Sequence, residues 1–136
     1  MATDLERQIK DVIYAGLNEH DVEKYVSFHA DDVIVNAPDG TVMRGKEDMR
    51  TYFKNFFAAF PDVKFELVSF LSSGNLQCDE WIMTGTHKGD YMGIPATEKK
   101  VTIRGITVRN MKGGKAGPAS FYYDSAHLMR QLGVLP

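Results

Sequence analysis

The chain has 136 residues, 43% of them hydrophobic and 25% charged, with a net charge of −2. This is an ordinary globular composition and enough chain for one core, so residues 1–136 are expected to form a single domain. No Lys/Arg run marks a nucleic-acid surface, no stretch approaches the 18 apolar residues of a membrane helix, and the one cysteine, Cys78, rules out an internal disulfide.

The opening segment MATDLERQIKDVI is charged and helix-like, without the basic stub and apolar run of a signal peptide, and a cytoplasmic location is expected. Thr3 and Glu6 fit a capping box, and Leu5, Ile9, Val12, Ile13 and Leu17 follow at helical spacing. Asn18 to Asp21 form a break, and Asp21 can cap a second helix carrying Val22, Tyr25, Val26 and Phe28. VIVN reads as a short strand and APDG as a turn. GKEDMRTYFKNFFAAF predicts a third helix with Met49, Phe53, Phe56, Phe57 and Phe60 on its apolar stripe, stopped by Pro61.

From Val63 onward the hydrophobic period changes. VKFELVSFL and NLQCDEWIMTGTHKG read as strands joined at SSGN, DYMGIPATEK as a loop, KVTIRGITVRNM as a strand, KGGK as a turn and AGPASFYY as a last strand. Helices followed by an antiparallel meander define the α+β class. A strongly bent antiparallel sheet with three N-terminal helices on its concave side encloses a cone, whose open end is a natural ligand pocket.

Side chains alternate along a strand, so Asp79, Trp81, Met83, Gly85 and His87 share one face. That face is expected to point inward, with Phe121 and Tyr123 on the inner face of the last strand. Trp81, Met83, Phe121 and Tyr123 would suit a flat apolar ligand. Arg104 is read as the cation at the sheet centre, where burial requires a carboxylate partner such as Asp79, Glu80 or Asp124; the alternative is an outer, solvated position. Asp124 precedes SAHLMRQL, which reads as a short C-terminal helix stopped by Gly133. Asp124 can cap that helix, or serve as an acid if the helix opens at the rim of the cone. His29, at a helix end, is read as structural. The four histidines are scattered singly, which leaves no zinc spacing.

The order of elements, with HADDVIVNAPDGTVMRGKEDMRTYF, resembles the nuclear-transport-factor-2-like superfamily. GTHKGDYMGIPATEKKVTIRGITV and DSAHLMRQLG narrow the resemblance to the SnoaL-like family, which includes polyketide cyclases. The resemblance spans nearly the whole chain. It implies a cone-shaped α+β barrel, commonly a homodimer, with no cofactor. It also implies ring closure by an intramolecular aldol reaction, in which a pocket carboxylate moves the proton. The cyclase aspartate falls on Phe121, the pocket histidine on Thr107 and the glutamine two residues earlier on Gly105. Ketosteroid isomerase belongs to the same superfamily; its base aspartate falls on Ala37 and its first-helix tyrosine on Ile13, with Tyr14 one position and about 100° of helix away.

These departures leave His87, at a strand end inside the matched segment, and Asp124 as candidate acid/base residues. Arg104 joins them as an electrostatic helper. The expected function is a cofactor-free cyclase, isomerase or dehydratase acting on a small apolar carbonyl compound. The alternatives are a non-catalytic small-molecule-binding protein and a dimeric protein-interaction module.

Overall fold

The structure, a computed structural model, describes residues 3–135; Met1, Ala2 and Pro136, the ends of the expected unit, lie outside the described residues. The first helical run comprises α1 (Asp4–Gln8), a π-helical stretch (Ile9–Tyr14) and α2 (Ala15–Glu19). Thr3 caps it by accepting from the Glu6 amide at 3.0 Å. His20 ends it in the left-handed region, φ 57°. Asp21 accepts from the Lys24 amide and opens α3 (Val22–Ser27). Helix α4 (Gly45–Ala59) buries Met49, Phe53 and Phe57 in the core. The final helix, α5 (Ser125–Leu132), stops at Gly133, whose φ of 82° suits a glycine.

Six strands form one sheet in the order β2-β1-β6-β5-β4-β3. They are β1 (Ile34–Asn36), β2 (Val42–Arg44), β3 (Lys64–Ser73), β4 (Leu76–Thr86), β5 (Lys100–Lys112) and β6 (Lys115–Tyr123). Strands β3 to β6 form the expected antiparallel meander. The sheet as a whole is mixed, because β1 runs parallel to β6 through Val35 opposite Ala119 and Asn36 opposite Ser120. A register shift between Leu67 and Ser69 on β3 and another between Arg109 and Met111 on β5 interrupt the ladders. Such irregularities raise local twist and bend a sheet. The sheet curls strongly around the helices, but β2 and β3 remain its two edges, so the cone is not a closed barrel.

The core lies on the concave side, where Ile9, Ile13 and Leu17 of the first run meet Val26 of α3, Met49 and Phe60, and Met83 and Ile103 of the sheet. Helix α5 is fastened to β5 by Gln131, whose side chain accepts from the Thr102 amide at 2.8 Å and donates to the Thr102 carbonyl at 2.9 Å. That clamp sets Leu128 into the core. Among the described residues, no helix is long and apolar enough to cross a membrane.

Candidate active site

Two-residue periodicity decides what the cone presents inside. On β4 the inward series is Gln77, Asp79, Trp81 and Met83; on β5 it is Val101, Ile103, Gly105, Thr107 and Arg109; on β6 it is Ala119, Phe121 and Tyr123. The cavity they enclose is completed by Ile13 and Tyr14 of the first run, by Tyr25 and His29 from and just beyond α3, and by Tyr52, Phe53 and Phe56 of α4. The cavity has a volume of about 70 Å³, several times what one water requires. Half-buried aromatic side chains (Tyr52, Phe56, Phe65, Phe121 and Tyr123) stand toward the outside, and the fully buried polar groups stand at the inner end.

The inner end is built around a buried ion pair. Arg109 and Asp79 have side chains only 4% and 0% exposed and are bonded through Arg109 Nη1 and Asp79 Oδ1. The same Nη1 donates to Gln77 Oε1 at 2.7 Å, and Gln77 Nε2 donates to Asp79 Oδ1 at 2.8 Å. The Tyr14 hydroxyl donates to the other carboxylate oxygen, Asp79 Oδ2. Burial first, then the Asp79 charge, pushes the Tyr14 phenol far above its ordinary range, so it stays protonated as that donor. Both Asp79 oxygens are thus engaged, and Arg109, not Asp79, lines the cavity. The Arg109 Nε and Nη2 groups make no hydrogen bond among the described residues. Removing either partner of such a pair typically costs about 3–5 kcal/mol, because the survivor is a bare buried charge.

His29 sits beside Arg109. It is 2% exposed and lines the cavity, with its Nδ1 at 3.0 Å from the Tyr25 carbonyl oxygen. A carbonyl only accepts, so Nδ1 carries the proton and Nε2 keeps its lone pair. Burial first, then the charge of Arg109, lowers its pKa from 6.5 to about 3. The imidazole is therefore neutral at physiological pH.

The sequence-predicted residues divide sharply. Trp81, Met83, Phe121 and Tyr123 line the cavity. Phe121, where the resemblance puts the cyclase aspartate, stacks on Tyr123 at 6.4 Å and meets Tyr52 edge-on at 6.2 Å. Gly105 and Thr107 have a joint packing reason. The Trp81 indole lies flat over Gly105, where an added Cβ would come within 2.3 Å of it, and the indole N–H donates to Thr107 Oγ1 at 2.9 Å.

Arg104, His87 and Asp124 are not in the cavity. Arg104 falls on the even, outward face of β5 and is exposed beside Asp124, His127 and Gln131 in a shallow outer groove. The buried arginine paired with Asp79 is Arg109, five residues on and of opposite parity. His87 shares the inward face of β4 but lies one residue past its end, fully buried. Its Nδ1 accepts from the Thr97 amide at 3.2 Å, its ring packs on Phe60 and Tyr91, and its backbone pairs with Lys99 and Glu98. His87 therefore clasps the 88–99 loop, and its buried Nε2 makes no hydrogen bond among the described residues. Asp124 is exposed, and its Oδ1 accepts from the His127 amide at 3.0 Å as the cap of α5.

Three contributors escape the sequence reading. Arg109 is marked by parity alone: counting by twos from Thr107 puts it inside. Tyr14 is admitted by the π-helical stretch, which lets both Ile13 and Tyr14 face the cavity. His29 carries no sequence signal beyond its helix-end position. Asp39, in the turn after β1 and outside the cavity lining, accepts from the Thr41 amide through Oδ1, while its buried Oδ2 makes no hydrogen bond among the described residues; its charge adds to the burial that raises the phenols of Tyr52, Tyr91 and Tyr123. Among the described residues, no group of three His, Cys, Asp or Glu side chains is placed to hold a metal ion.

A curled sheet wrapped around helices, with an aromatic cavity along its axis, defines a nuclear-transport-factor-2-like fold of the ketosteroid isomerase type. Within that class the chain belongs to the SnoaL-like polyketide cyclase family, whose family model matches residues 4–132. Solved structures agree on the fold. TsrD from Streptomyces laurentii is 22% identical with a TM-score of 0.87, covering 99% of each chain. AclR from Streptomyces galilaeus is 20% identical with a TM-score of 0.84, over 99% of this chain and 100% of its own. IdmH from Streptomyces antibioticus is 22% identical with a TM-score of 0.80, over 97% and 100%. No curated protein matches the chain.

Proposed function

We propose that the protein is a cofactor-free cyclase-type enzyme acting on a small, flat, mostly apolar carbonyl compound. The observation that carries this reading is Arg109. It is a buried guanidinium at the inner end of an aromatic cavity, held through one nitrogen by Asp79 and Gln77, with its remaining N–H groups unengaged among the described residues. A cation fixed in a low-dielectric site stabilises charge developing on a carbonyl oxygen far better than water does. Aromatic walls bind the body of the ligand, and the arginine orients its oxygen. Family membership supports the cyclase type.

Ring closure is testable with 1-phenylhexane-1,5-dione, which cyclises by an intramolecular aldol reaction. The expected result is a product of unchanged mass, or lighter by one water, formed faster than in buffer or with heat-denatured protein. Return of the dione unchanged, although Trp81 fluorescence reports that it binds, would overturn the enzyme reading. It would leave a non-catalytic binding protein, the reading favoured by the apolar Phe121 at the cyclase aspartate position.

A further inference from the structure

An aldol closure needs a base as well as a carbonyl-polarising group, and the cavity wall is short of bases. Its titratable members are Tyr14, Tyr25, His29, Tyr52, Arg109 and Tyr123, with no Asp, Glu, Lys or Cys among the lining residues described. Tyr14 is committed to Asp79. Burial pushes Tyr25 up to about 12 and Tyr52 and Tyr123 upward, so these phenols keep their protons. Arg109 is a permanent cation. The one lone pair of basic nitrogen facing this space belongs to His29.

We propose that His29 Nε2 is the proton acceptor of the cavity and works as a pair with Arg109. The proposal rests on the carbonyl reading above. The Tyr25 carbonyl fixes the tautomer through Nδ1 at 3.0 Å, leaving Nε2 as the free edge of a ring that lines the cavity. In the step assigned to it, the C–H bond next to the substrate carbonyl breaks and its proton goes to Nε2. The bonding electrons pass to the carbonyl oxygen, which becomes an enolate on Arg109. The enolate carbon then attacks the second carbonyl of the same molecule, and the resulting alkoxide takes the proton back from the imidazolium. The product is an isomer of the substrate, and the imidazole ends neutral.

The surroundings make this base conditional. The charged and titratable groups around His29 are Arg109 on β5, Lys46 at the start of α4 and Tyr25 on α3, whose ring centroid is 5.0 Å away. Both charges are positive, so protonation is disfavoured while the cavity is empty. An enolate oxygen on Arg109 supplies the missing anion and offsets that repulsion. His29 therefore accepts a proton only as the oxyanion forms, which restricts proton removal to ligands whose carbonyl sits on the arginine.

The test uses 1-tetralone, a flat bicyclic ketone with exchangeable hydrogens at C2. Binding is read by Trp81 fluorescence and exchange by loss of the C2 proton signal in deuterium oxide. Wild type is expected to accelerate exchange. His29→Asn, which keeps a donor for the Tyr25 carbonyl but offers no base, should bind 1-tetralone with similar affinity and lose about 100-fold or more of the exchange rate. At subsaturating ketone the wild-type rate should stay flat from about pH 8 down to about pH 5, where an ordinary histidine base would already have titrated. A wild-type rate in His29→Asn would overturn the assignment, and a fall near pH 6.5 would overturn the dependence of this base on Arg109. If His29→Asn fails to fold, His29→Gln decides it. Binding without exchange, lost in the paired Asp79→Asn/Arg109→Met variant, overturns His29 and leaves the carbonyl site standing. No binding by wild type overturns the carbonyl site and His29 with it.

Discussion

A neutral histidine buried against an arginine leaves a mark on stability. The folded pKa of His29, about 3, lies below the 6.5 of an exposed histidine. Between those two values the unfolded chain binds the extra proton and the folded one does not. The His29 contribution to stability is therefore fully present above about pH 6.5 and is lost as pH drops through the window, by at most roughly 1.4 kcal/mol per pH unit. The carboxylates held low by their partners are Glu23 by Arg50, Asp32 by Lys112 and Asp62 by Thr86. They contribute their loss only further down, as pH falls through their own depressed values. Urea unfolding at a series of pH values should thus show a slope between about pH 6.5 and 4.5 that His29→Asn removes. An identical slope in the variant would mean that the imidazole is already charged in the folded protein.

At the scale of elements, α5 shows how a polar residue can sit beside a site without joining it. Asp124 caps the helix, Gly133 ends it, Gln131 ties it to Thr102 of β5, and Leu128 reaches the cavity wall. Asp124→Ala should cost about 0.5–2 kcal/mol of stability and leave turnover unchanged. Thermal unfolding and the dione assay check both halves, and lost turnover at unchanged stability would contradict the cap role. The same element shows what a sequence makes visible. The cap, the helix and its glycine stop are local and legible. So are the change of period at Val63, the meander and the inward placement of Trp81, Met83, Phe121 and Tyr123, because alternation is written into each strand. The parallel pairing of β1 with β6 was not legible, since it joins segments more than 80 residues apart through two residue pairs. Strand β2, at three residues, is too short to show a period. Arg104 and Arg109 are equally plausible as isolated cations, and only the register of β5 separates the outward one from the inward one. Tyr14 depended on a π-helical stretch that a regular helical period does not foresee.

For the whole molecule, the curl of the sheet brings distant residues into one function. Tyr14, His29, Asp79 and Arg109 come from four separate segments and meet at the inner end of a cavity whose outer wall is aromatic. Nothing in the cavity stands where the resemblance puts the cyclase aspartate except the ring of Phe121. The polar work of the site accordingly falls on the Arg109 end. On the proposed reading a ketone enters with its oxygen on that arginine. The most direct measurement is the carbonyl carbon-13 chemical shift of labelled 1-tetralone bound to the protein. The expected bound signal lies downfield of the free ketone in water, reporting a carbonyl polarised by the guanidinium, and is lost in the paired Asp79→Asn/Arg109→Met variant. A bound signal upfield, at the position the ketone shows in hydrocarbon solvent, would mean that the oxygen lies against the aromatic wall and that Arg109 does not receive it.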